Sequence, residues 1–206
     1  MSLTFATSKR FKPTYIIVAL NMAVYAYTSV ISGDFMETSY DVILQYGQVN
    51  YFVMNGLWWQ LFTAMFIHVN IIHLLGNMLF LLIFGLRAEE MFSIQEYLLI
   101  YLLSGLAGNL LTLLFGPLAP PSAGASGAIF GLFGACTIYL RRTVGQSIIG
   151  ALLYSLFWLM ISAGPEVNNL AHLGGLIAGL LIGYFLAFRR KPKTPQMFSY
   201  AHSFHA

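Results

Sequence analysis

Six apolar runs, separated by short polar stretches, set the limits on what this chain can become. They cover about residues 15–31, 71–86, 97–115, 126–140, 147–161 and 170–188. At ~1.5 Å of rise per residue, runs of this size are the lengths helices use to cross a bilayer. Only 8% of the 206 residues are charged, where a soluble domain carries about 25%. The chain therefore reads as an all-α integral membrane protein of one domain, with residues 1–13 and 189–206 as polar ends around a bundle over 14–188. All ten Lys and Arg fall in the N-terminal segment, the 2–3 loop, the 4–5 loop and the C-terminal tail. The 1–2, 3–4 and 5–6 loops carry Asp34, Glu37, Asp41 and Glu166 instead. Six spans with both ends in the cytoplasm obey the positive-inside rule without exception. A wrong count would break that alternation.

The stretches between the spans are also informative. Lys9, Arg10 and Lys12 precede Pro13 and a run too long for the core of a secretory signal peptide, so the first helix is expected to be retained. Residues 33–59 are mixed and rich in aromatics, among them Tyr46, Tyr51, Trp58 and Trp59. Such sequence suits an element lying in the membrane interface. Pro117, Pro120 and Pro121 forbid a continuous helix over 116–123. The single cysteine, Cys136, excludes an intrachain disulfide and reads as a small core residue.

Within this frame one stretch carries chemistry. Gly124-Ala125-Ser126-Gly127 sets a serine between glycines at the start of the fourth span. Small flanking residues let a substrate backbone approach a hydroxyl. In an apolar helix the same serine equally eases packing, so the rest of the chain must decide. The topology places Ser126 near the outer end of the fourth span and His172 near the outer end of the sixth. His73 and Asn77 fall one turn apart in the outer half of the second. Polar groups sharing one layer at membrane depth mark a functional site. Gly175, Gly179 and Gly183 lie on one face of the sixth span, and Gly127, Gly131 and Gly134 line the fourth. Such small faces bring two helices close. The chemistry that fits is acyl transfer by a Ser126–His172 dyad. His73, Asn77 and the Ser126 N–H are the candidate oxyanion donors. Phe130, one turn below Ser126, is placed to stack on the imidazole. Glu166 is a loop acid with no expected part in a triad. Activity is expected to require neutral His172 and so to fall on the acid side with a single titration.

The sequence resembles the rhomboid intramembrane serine proteases over nearly its whole length. The resemblance rests on Gly124-Ala125-Ser126-Gly127, on His68 with His73-Leu74-Leu75-Gly76-Asn77, and on Ala171-His172 followed by Gly175 and Gly179. It implies a six-transmembrane-helix bundle of rhomboid type, with an interfacial first loop and a water-filled cavity above a short fourth helix. It also implies a lateral gate near the fifth helix and cleavage of single-span membrane proteins near the membrane surface, in a prokaryotic cell membrane. Trp59-Gln60 stands where the family often has Trp-Arg. Gln60 is expected to anchor the first loop through hydrogen bonds, so that its loss is milder than that of a site residue. Phe130 stands where some relatives have tyrosine.

Other readings make different demands. A proteolytically dead relative would lack the serine or the histidine. A transporter would more often show internal repeats or helices broken at the midplane. A zinc site from His68, His73 and His172 has no HExxH pattern and no carboxylate in reach. The expected partners are transmembrane protein substrates and the lipid bilayer, with no nucleic acid, no cofactor and no metal.

Overall fold

The computed structural model describes residues 12–143, 147–161, 164 and 167–189. Among these the named elements are all helices: α1 (Pro13–Ser32), α2 (Tyr40–Tyr46), α3 (Asn50–Met54), α4 (Gln60–Thr63), α5 (Ile71–Met91), α6 (Ile94–Phe115), α7 (Ser126–Thr143), α8 (Ile148–Ile161) and α9 (Asn169–Arg189). The six long helices are those expected. The first loop holds the three short ones, α2 to α4. Glu166 and the two terminal histidines, His202 and His205, lie outside the described residues.

Local signals explain most of the ends. Pro13 sits in the first turn of α1, where its missing N–H costs nothing, and Gly33 closes the helix at φ 69°. Asn70 caps α5 by accepting the His73 N–H at 2.7 Å. Ser93 and Glu96 form a reciprocal capping box on α6, so α6 starts three residues before the expected 97. Helix α5 runs five residues past the expected end at 86. Its extra turn, Arg87-Ala88-Glu89-Glu90, is made of strong helix formers. Arg87 pairs there with Glu90, and Glu89 accepts the Thr14 N–H at 2.9 Å.

Four helices, α1, α5, α6 and α9, are long and apolar enough by length and composition to cross a membrane. Helix α7 is different. It packs against α5, α6, α8 and α9, and its glycines and alanines are mostly buried. A helix surrounded by others needs small residues where backbones meet. The outer helices instead turn large apolar residues outward, such as Leu79, Leu103, Phe157 and Phe185. In water that surface would be a severe liability. In lipid it is the expected exterior.

Helix α9 is wedged between α6 and α7, and its two adjacent glycines serve one neighbour each. A Cβ on Gly174 would come 2.8 Å from the Ala107 carbonyl oxygen and 2.9 Å from Gly108 Cα, both on α6. A Cβ on Gly175 would collide with the Gly127 carbonyl, and one on Gly179 with the Gly131 carbonyl, both on α7. Glycine spacing marks the α7 face of α9 in the sequence, but not the α6 face.

Candidate active site

The α7–α9 contact sets a register. Gly127 lies against Ala171 and Gly175, Gly131 against Gly175 and Gly179, and Ala135 against Gly183. Both helices run the same way, so the contacts advance together. The shared offset brings the first turns of α7 and α9, which carry Ser126 and His172, to the same end of the bundle. Phe130 supplies the independent check. It lies one turn from Ser126 on α7, and its ring stacks on the His172 imidazole with centroids 4.5 Å apart and planes at 26°. The expected stacking is therefore present.

Stacking is what holds the imidazole. His172 is buried, and its Nδ1 has no hydrogen-bond partner among the described residues. Among those residues no carboxylate orients the ring, and no hydrogen bond joins it to Ser126 Oγ. Nucleophile–base pairs are often looser than a full hydrogen bond before substrate binds.

The approach to Ser126 is shaped by Gly124. Its φ of 130° lies in the region that side chains rarely adopt. Its N–H donates to the Ala64 carbonyl at 2.9 Å, tying the nucleophile loop to the first loop. An added Cβ would sit 2.9 Å from His73 Cε1, 3.0 Å from His73 Nε2 and 3.9 Å from Ser126 Oγ. One point in space thus neighbours both the serine hydroxyl and the edge of His73.

His73 is positioned from below and behind. Its backbone is fixed by the Asn70 cap. Its ring meets His68 edge to face at 5.3 Å and 65°. His68 is fully buried, and its carbonyl accepts the Thr38 hydroxyl at 2.8 Å. Asn77 is buried one turn further along α5 and donates to the His73 carbonyl at 2.9 Å. One of its two N–H bonds is thereby committed to its own helix. Among the described residues no group of three His, Cys, Asp or Glu could hold a metal ion.

The first loop is pinned more firmly than expected. Gln60 is fully buried. Its Oε1 accepts the Val49 N–H at 2.9 Å, and its Nε2 donates to the Leu44 carbonyl at 2.7 Å and, more weakly, to Gln45 at 3.4 Å. The expected anchor is a bridge across the loop. Gln48 and Ser122 exchange backbone hydrogen bonds at 2.7 and 2.8 Å. Asn50 and Asn109 add side-chain ties to the Thr112 and Leu61 carbonyls. None of these residues stands out in the expectations drawn from sequence. Asn70 carries a readable signal, being a capping residue just before an apolar run. Gln48, Asn50 and Asn109 carry none, because the backbone carbonyls they bond lie 48 to 67 positions away.

A multi-pass helical membrane protein with a serine heading its central helix, a histidine on the helix packed alongside, and further imidazole and amide groups at the same level is a defined class. The family model described as Rhomboid domain matches residues 55–189, and the chain belongs to the rhomboid family. It is 35% identical over 176 residues to rhomboid protease GluP of Bacillus subtilis, covering 81% of this chain and 33% of that one. It is 43% identical over 134 residues to the mitochondrial RHOMBOID-like protein 6 of Arabidopsis thaliana, covering 62% and 43%. With the YdcA protein of Bacillus subtilis it shares 36% identity over 148 residues, covering 68% and 73%. The chain thus spans less than half the length of the first two relatives.

Proposed function

We propose that this chain is an intramembrane serine endopeptidase that cleaves single-span membrane proteins near the outer face of the membrane. The observation that supports the reading is the α7–α9 contact, with Gly127 against Ala171 and with Phe130, one turn from Ser126, stacked on His172. Family membership and the protease name of the GluP relative support it. Ser126 Oγ attacks the scissile carbonyl, and His172 Nε2 takes the hydroxyl proton. The tetrahedral oxyanion receives hydrogen bonds from the Ser126 N–H, the His73 ring and the free N–H of Asn77. His172 then protonates the leaving amine, and water hydrolyses the acyl-enzyme by the same route. Gly124 keeps the approach to Ser126 open. Gly127, Gly175 and Gly179 let the two helices touch, and His68 backs His73. The protease domain spans 14–188, with cytoplasmic ends at 1–13 and 189–206. The host membrane is that of a prokaryotic cell, and no cofactor takes part.

The test is covalent. The purified protein should be labelled by a fluorophosphonate and should cleave a model single-span substrate. Ser126→Ala should remove both activities and His172→Ala should remove cleavage, while Cys136→Ala and Glu166→Gln keep both. An unlabelled, inactive parent protein that still binds the substrate would make it a non-proteolytic relative. Cleavage by Ser126→Ala would overturn the serine mechanism outright.

A further inference from the structure

Asn168 lies just before α9, one turn ahead of His172, and its side chain is nearly saturated with hydrogen bonds. Its Oδ1 accepts the Ala171 N–H at 3.0 Å, capping the helix that carries the base. Its Nδ2 donates to Ser122 Oγ at 2.6 Å and to Thr112 Oγ1 at 3.0 Å. Thr112 has its own hydroxyl proton engaged, donating to the Gly108 carbonyl at 3.0 Å on α6. Ser122 is four residues before Ser126, and its backbone is locked to Gln48 in both directions. One amide therefore joins the start of the base helix, the loop that leads to the nucleophile and the flank of α6.

Capping alone does not require this. A serine at the same position would cap the helix equally well, but it has no second group with which to reach across to Ser122. We propose that Asn168 is a positioning residue, which sets the spacing between Ser126 and His172 by tying the first turn of α9 to the nucleophile loop. The proposal rests on the serine-protease reading. It assigns to Asn168 no contact with substrate. The α7–α9 glycine contacts fix how the helices lie along one another. The outermost of those contacts along α9 is Ala171, against Gly127 of α7 and Gly108 of α6. The Asn168–Ser122 bond lies beyond it and is what joins the loop entering α7 to the start of α9. A displacement of about 1 Å at a reacting pair costs up to about 10²-fold in rate.

The experiment uses the full chain in detergent, at a temperature well below the unfolding midpoint of each variant. Asn168→Ala and Ser122→Ala are each expected to lower kcat on a single-span substrate by about 10- to 100-fold. KM should be unchanged, and fluorophosphonate labelling should slow in parallel. The double variant should be no slower than the slower single one, because both remove the same tie. Asn168→Asp should recover most of the rate, since it keeps the cap and can accept a hydrogen bond from the Ser122 hydroxyl. Full kcat in both single variants, a change confined to KM, or effects that multiply in the double variant would overturn the proposal. If Asn168→Ala does not fold, Ser122→Ala and Asn168→Asp decide it alone. A parent protein that neither labels nor cleaves would overturn the protease reading and this inference together. A parent that does both while the variants match it would overturn only the tie.

Discussion

Asn77 and Gln60 are both buried amides, yet they do different work. Asn77 spends one N–H on the His73 carbonyl and has one left to offer toward the site. In the proposed mechanism it is one oxyanion donor among several, so its loss should cost about 10²–10³-fold in kcat. Asn77→Ala should therefore retain cleavage that is measurable above the Ser126→Ala background. Loss as deep as that of Ser126→Ala would give it a role beyond donation. Gln60 touches nothing in the site. Its removal would strand the Val49 N–H and the Leu44 carbonyl in a buried loop, and each stranded group costs about 1–3 kcal/mol. Gln60→Ala should thus lower the unfolding midpoint clearly while cleavage by the folded fraction persists. An unchanged midpoint would mean that water or another donor replaces the amide. The two residues are unequally legible in the sequence. Asn77 sits one turn from His73 inside an apolar run, and that spacing is visible in one dimension. Gln60 is visible as a polar residue in an aromatic loop, but its three partners lie 11 to 16 positions away along an irregular chain.

Helices α7 and α9 show the same contrast between spacing and contact. Their glycines recur at helical intervals, so the close face of each helix is legible in the sequence itself. The glycine at 174 is not, because it serves a third helix, α6, whose place beside α9 is a tertiary fact. The three short helices of the first loop are likewise legible only as interfacial sequence, since runs of four to seven residues have too few turns to show a period. The α7–α9 face gives a direct prediction. A side chain at Gly179 must displace the Gly131 carbonyl, and one at Gly175 the Gly127 carbonyl. Overpacking of this kind costs typically about 1–3 kcal/mol, and here it also pushes apart the two helices that carry Ser126 and His172. Gly175→Val and Gly179→Val should each lower both the unfolding midpoint in detergent and the cleavage rate. Parental midpoints with full activity would remove close backbone packing from the account of the site.

Charged and polar groups gather at the two ends of the bundle. Lys12, Arg87, Arg141, Arg142 and Arg189 stand at one end, where α1 begins and α5, α7 and α9 finish. Thr14 joins Glu89 and Tyr97 there, tying α1, α5 and α6 together. Arg142 lies over the rings of Tyr184 and Phe188, 4.6 and 5.1 Å from their centroids. At the other end are Asp34, Glu37 and Asp41, the first loop, and the layer of Ser126, His172, His73 and Asn77. Translocating a cluster of cations across a membrane is far less favourable than translocating a loop that has none. The cationic end should therefore remain in the cytoplasm and the catalytic layer should open outward. Two single-cysteine proteins test this, built on Cys136→Ala so that the buried native thiol cannot report. Leu118→Cys lies on an exposed position of the loop before Ser126, and Lys12→Cys lies at the start of α1. A membrane-impermeant maleimide should label Leu118→Cys in intact cells and Lys12→Cys only after permeabilisation. The reverse pattern would place the Ser126 layer on the cytoplasmic side, and the substrate bond reached by this site would then lie near the inner face of the membrane.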